Sequence, residues 1–115
     1  MNSDTAIRDA IELGERHGLG SLTGVQKLVF AISEAEVYCD KDGIEGLIHR
    51  YGAPAMLTFS EAFESVGATE IAAVLLSLAN DGPKPEAVLT HANTLITGRQ
   101  GYAYEKLQAL VSSST

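Results

Sequence analysis

The chain predicts an all-α fold: one domain over residues 1–115, built as a bundle of six to seven short helices. Three observations predict it. Apolar residues recur at spacings of three and four in successive segments, clusters of Gly, Pro, Asn and Asp separate those segments, and no stretch alternates apolar with polar as a half-buried strand does. With 115 residues, 45% of them hydrophobic and 20% charged, the chain is large and apolar enough to close a core without a disulfide or metal.

The elements follow in order. Ala6, Ile7, Ala10 and Ile11 lie at helical spacing behind Ser3 or Asp4, either of which suits a helix N-cap, so a first helix runs to about His17. Gly18 and Gly20 stop it. Thr23 with Gln26 three residues on fits a capping box, which starts a second helix at Gly24 that buries Val25, Leu28, Val29, Ile32 and Cys39. The run from Lys27 to Ile32 also suits a buried strand, but the Ser33-Glu-Ala-Glu that follows is poor strand material. Asp40-Lys-Asp-Gly43 closes this helix, and a short one spans Ile44 to Tyr51. After Gly52, Pro54 suits a first helical turn, and Met56, Phe59, Phe63 and Val66 form one stripe that points Glu61 and Glu64 away from it. Gly67 ends that stripe. Thr69 caps the next helix, which buries Ile71, Val74, Leu75 and Leu78 and finishes at Asn80-Asp-Gly-Pro83. Val88, His91, Ala92 and Leu95 mark a sixth helix; Tyr104, Leu107 and Val111 mark a seventh beyond the Gly98-Arg-Gln-Gly101 turn.

Charge is distributed unevenly. Residues 28–83 hold nine carboxylates against Lys41 and Arg50, a local charge of −7 that equals the net charge of the whole chain. Such a surface repels nucleic acid and steers basic proteins toward it. The first residues, Met1-Asn-Ser-Asp-Thr, carry an acid where a secretory signal needs bases, and the longest apolar run, Leu28 to Ile32, is too short to cross a bilayer. The single Cys39 allows no internal disulfide. Together these features give the expectation of a cytoplasmic protein.

No catalytic or cofactor motif survives inspection. Asp40-Lys-Asp-Gly43 fails as a calcium loop because its first ligand position falls on Tyr38 and its closing glutamate position on His49. Gly18-Leu-Gly-Ser-Leu-Thr-Gly24 is one residue too long for a dinucleotide fingerprint and follows a helix where that site needs a strand. His17, His49 and His91 have no metal-ligand partner at suitable spacing, and Cys39 reads as a small core residue. Glu34 and Glu36 fall on different faces of a helix and do not form an acid–base pair. The sequence therefore implies no enzyme, no cofactor and no metal. The turn Gly98-Arg-Gln-Gly101, with Arg99 between its glycines, is the pattern by which KH domains clamp a nucleic-acid backbone; that domain also needs a three-stranded sheet, and the alternative is a glycine-capped helix junction.

Leu22-Thr23, Glu36-Val37, Gly43-Ile44 and the block from Ala62 to Leu75, with its Val66-Gly-Ala-Thr-Glu-Ile71, resemble the bacterial DNA mimic protein nineteen family over about residues 20–78. Two departures are visible. Gly24 stands where that family has a proline, and Tyr38-Cys-Asp-Lys-Asp-Gly43-Ile44 replaces its shorter turn of two asparagines, two glycines and a phenylalanine. The resemblance implies an all-helical, non-enzymatic fold with a tendency to dimerise, whose acidic face engages a DNA-binding protein in place of DNA. Some relatives look like immunity or regulatory partners in toxin and defence loci.

From charge and resemblance together, the expected function is a small acidic interaction protein that meets a basic protein surface through Glu34, Glu36, Asp40, Asp42 and Glu45. Two alternatives stand beside it: a nucleic-acid-binding module using the Gly98–Gly101 turn, and a helical domain binding a small ligand between helices.

Overall fold

A computed structural model describes residues 3–80 and 82–113, and among them seven α-helices and no strand. In chain order these are α1 Ser3–His17, α2 Gly24–Lys41, α3 Ile44–Tyr51, α4 Met56–Ser65, α5 Thr69–Ser77, α6 Glu86–Thr97 and α7 Tyr104–Ser113. Single 3-10 turns at Leu19–Ser21 and Ala53–Ala55 lead into α2 and α4. No helix is long and apolar enough to cross a membrane among the described residues. The all-helical expectation holds; Asp81, counted among the nine acids, lies outside the described residues.

Helix α2 is the axis of the molecule and packs against α1, α3, α4, α6 and α7. A helix covered on several sides needs apolar side chains on several sides, and Val29, Phe30, Ala31 and Ile32 are all buried in succession. That unbroken run, which also suits a buried strand, here serves a helix covered on several sides. Gly14 sets how closely α1 approaches: a Cβ at that position would lie 2.2 Å from the Phe30 ring. On the opposite flank, α4 buries Met56, Phe59, Phe63 and, just past its end, Val66, while Glu61 and Glu64 are exposed, as the stripe predicts. Ile71, Val74, Leu75 and Leu78 of the α5 segment are buried likewise.

Two helix ends share one hydrogen-bonding pattern. At the end of α4, the Ala68 N–H donates to the Phe63 carbonyl and the Gly67 N–H to that of Glu64, with Gly67 in the left-handed region at φ 83°. At the end of α6, Gln100 N–H donates to the Leu95 carbonyl and Arg99 N–H to Ile96. The left-handed residue of that pattern is Arg99, at φ 50°, while Gly98 is right-handed and Gly101 takes a second positive φ, 87°, at the end of the turn.

Two local expectations, both of helix caps, need correction. Thr23 occupies the N-cap of α2 with extended backbone, but its hydroxyl makes no capping bond, so the capping box does not form. Ala68, not Thr69, is the N-cap of α5, because the Ala68 N–H is already committed to Phe63 and its carbonyl accepts the Ala72 N–H. His91 is exposed, since α6 buries Ala92, Leu95 and Ile96, a stripe rotated past it. Tyr104 is likewise half in solvent, whereas Leu107 and Val111 of α7 are buried.

Candidate functional site

The five carboxylates expected to face a partner divide into two groups. Glu34 and Glu36 project from opposite sides of α2, two residues and therefore about 200° apart, and each accepts a buried or half-buried tyrosine. Tyr51, at the end of α3, donates its hydroxyl to Glu34 Oε2 at 2.5 Å. Tyr102, between α6 and α7, donates to Glu36 Oε2 at 2.5 Å, and Arg99 Nε donates to the same oxygen at 3.2 Å. Glu36 is thus an internal tie. Its tyrosine packs edge-on against Phe63 with ring centroids 5.4 Å apart, so one carboxylate of α2 fixes the α6–α7 connection onto α4. Tyr51 packs against Phe59 at 5.4 Å and against Tyr38 at 6.4 Å, with the Arg50 guanidinium 4.9 Å from the centre of its ring.

Both phenols are held protonated well above the usual tyrosine range. For each, burial is the main cause and the hydrogen bond to a carboxylate the next; the nearby arginine opposes these effects. Neither Glu34 nor Glu36 is therefore a free acid awaiting a cation. Sequence reasoning identified the carboxylates but missed the tyrosines, which stand 17 and 66 residues away and leave no local signal.

Asp40, Asp42 and Glu45 behave differently. They surround the corner where α2 ends and α3 begins, all three are exposed, and none is ion-paired among the described residues. Gly43 turns this corner at φ 80°, where the Asp42 and Gly43 N–H groups both donate to the Tyr38 carbonyl. Gly46 brings α3 against the end of α2: a Cβ there would lie 2.8 Å from Asp42 Cβ. Beside the corner lies a notch of about 160 Å³, lined by Gly43, Ile44 and Glu45 on one wall and Glu86, Leu89, Thr90 and Asn93 on the other. Asn93 Oδ1 is buried without a hydrogen-bond partner. A fourth carboxylate, Glu86, and an unsatisfied carbonyl oxygen thus join the acidic corner through the packing of α6 on α3, which no spacing in the sequence indicates.

Other features remain from the sequence. Cys39 is buried beneath the same corner, and its thiol is pushed up to about 12, by burial first and by the Asp40 charge second, in keeping with a small core residue. No three His, Cys, Asp or Glu side chains converge on a metal geometry among the described residues. The Gly98–Gly101 turn lies against the α4–α5 connection, where a Cβ on Gly101 would be 3.5 Å from Ala68 Cα. With Arg99 directed onto Glu36 and no sheet among the described residues, this turn lacks both the free cation and the platform of a KH clamp. A cleft of about 170 Å³ opens between α1, α2 and α7, walled by Ile7, Ile11, Val29 and Leu107 and rimmed by Ser33, Glu36, Arg99, Tyr102 and Tyr104.

No family model, no curated protein and no solved structure matches this chain.

Proposed function

We propose that the chain is a small, cytoplasmic, non-enzymatic interaction protein that receives a basic protein surface at the α2–α3 corner. The partner is a DNA-binding protein or a toxin, which the chain engages as a DNA mimic or as an immunity or regulatory protein. The observation that carries this reading is the corner itself: Asp40, Asp42 and Glu45 exposed and without an ion pair among the described residues, with Glu86 and an Asn93 Oδ1 that has no hydrogen-bond partner among them across a notch. The groups named there are carboxylates and an amide oxygen, all hydrogen-bond acceptors. A Lys or Arg side chain supplies the missing donors and charge. Glu34 and Glu36 contribute to the field around the corner while remaining tied to tyrosines.

The test is titration of the isotope-labelled chain with oligolysine, following backbone amide shifts. Perturbations should centre on residues 40–46 and on Asn93, weaken as salt shortens the reach of the charges, and vanish in the triple variant D40N/D42N/E45Q with its helical circular dichroism unchanged. Shifts distributed evenly over the acids of α1 and α7 would refute the assignment.

A further inference from the structure

The outer face of the α4–α5 hairpin carries two side-chain stripes that are exposed among the described residues except at Ser60 and Ala72, where the two helices meet. On α4, Leu57, Ser60, Glu61 and Glu64 stand at helical spacing; on α5, so do Thr69, Ala72, Ala73 and Leu76. The Ser60 hydroxyl donates to the Ala72 carbonyl at 2.6 Å, and the three-residue connection Val66–Ala68 makes the helices antiparallel neighbours. The N-terminal end of α4 therefore lies beside the C-terminal end of α5, which places Leu57 and Leu76 at the same end of the hairpin. These leucines are 53% and 56% exposed, among the most exposed large apolar side chains in the fold. Between the stripes runs a shallow groove whose lining includes Ser60, Glu64, Thr69, Ala72, Ala73 and Leu76. Small side chains on its floor let a third helix approach closely.

Charge decides what kind of helix that is. Residues 51–83 contain no Lys, Arg or His, while Glu61, Glu64 and Glu70 are exposed on the hairpin. A second copy of the chain related by a twofold axis would set this acidic rim against itself, at an energetic cost that an exposed leucine pair has to overcome. We infer that the groove seats an amphipathic helix of a partner protein, with apolar anchors at i, i+3 or i+4 and i+7 filling the space between Leu57 and Leu76, and with Lys or Arg on its flanks facing Glu61, Glu64 and Glu70. This inference rests on the reading of a basic protein partner and adds a second, apolar contact that the α2–α3 corner does not supply.

The experiment uses the full chain and three peptides of about 18 residues, roughly five helical turns: a Leu/Lys peptide with leucines at helical spacing, a scrambled isomer of identical composition, and oligolysine. The amphipathic peptide should bind at least tenfold tighter than its isomer and shift the amides of Leu57, Ser60, Ala72, Ala73 and Leu76. L57A/L76A should reduce that affinity about tenfold or more while leaving helical content and oligolysine binding unchanged. E61Q/E64Q/E70Q should flatten the salt dependence of amphipathic binding. Equal binding of the two isomers, or shifts confined to residues 40–46, would overturn the groove and leave the acidic corner standing. Failure of all three peptides to bind would overturn the basic-partner reading and the groove with it. A homodimer in sedimentation that L57A/L76A converts to monomer would assign the face to a second copy and overturn the helix as its occupant.

Discussion

Replacing Glu36 by alanine separates an internal tie from a displayed charge. In the folded chain Glu36 Oε2 accepts the Tyr102 hydroxyl at 2.5 Å and Arg99 Nε at 3.2 Å. Tyr102 is only 8% exposed, so its hydroxyl has little access to water once the carboxylate is gone. A hydrogen bond to a charged group contributes about 1.5–3 kcal/mol, and stranding a buried donor costs about 1–3 kcal/mol; the two overlap, since both describe one lost partner. The Arg99 pair adds only about 0–1 kcal/mol, because that guanidinium is more than half in solvent. E36A should therefore lose about 2–4 kcal/mol, a large share of the roughly 5–15 kcal/mol that stabilises a domain of this size. E36Q keeps an acceptor in the same place and should lose about 1 kcal/mol. Urea unfolding followed by circular dichroism reads the difference as a midpoint lowered by about 1–2 M for E36A, and a double-mutant cycle with Y102F should return a coupling above about 1 kcal/mol. If E36A unfolds within about 0.5 kcal/mol of the parent, as an exposed acid such as Glu45 should on neutralisation, the carboxylate is displayed to solvent and does not tie Tyr102 to α2.

Three further outcomes follow from the same packing. Gly14→Ala gains about 1 kcal/mol of helix propensity but places a methyl 2.2 Å from the Phe30 ring; overpacking prevails, and thermal melts should show a net loss of about 1–2 kcal/mol. Arg99→Gly relieves a left-handed residue at φ 50°, worth about 1–2 kcal/mol, against an exposed ion pair worth about 0–1 kcal/mol, so chemical denaturation should find it neutral or slightly more stable, whereas Arg99→Val should be clearly destabilised. The phenols of Tyr51 and Tyr102 titrate above their ordinary value of 10.0 in the folded chain; their contribution is complete below that pH and declines as pH rises beyond it, because the unfolded chain loses those protons first. Melting temperature should fall above about pH 10, and the Y51F/Y102F double variant should lose less over that range.

Much of the fold can be read along the chain because helix boundaries are local events. Gly43, Gly52 and Gly67 each end or join helices where the backbone takes positive φ, and the stripes of α4 and α5 bury the side chains their spacing selects. The errors arose where two segments compete for one group. Thr69 has the chemistry of a cap, but the hydrogen bonds that close α4 had already set the cap at Ala68. In the Gly98–Gly101 turn Gly101 takes one positive-φ position, at 87°, but Arg99 takes another, at 50°, and its side chain bonds Glu36 from a helix 63 residues earlier.

The candidate site was legible only in part. Sequence spacing already separates Glu34 from Glu36, and the structure assigns each to a different tyrosine. Asp40, Asp42 and Glu45 remain exposed at the corner that the Asp-Lys-Asp-Gly turn marks, whereas Glu86 and Asn93 join them from α6 with no trace in the linear pattern.

The amino-acid order by itself determined that this protein is helical, where most of its helices start and stop, and that its negative charge gathers in the middle half, because helix periodicity, turn geometry and formal charge depend on residues within a few positions of one another. Tertiary structure alone decided which acids bond internal tyrosines, which stand exposed at the α2–α3 corner, and that Leu57 and Leu76 are exposed on the α4–α5 hairpin, Leu76 on the wall of its groove. The physical reason is that desolvation and hydrogen-bond partnership depend on which helix faces which, and that is settled only when the stripes pack.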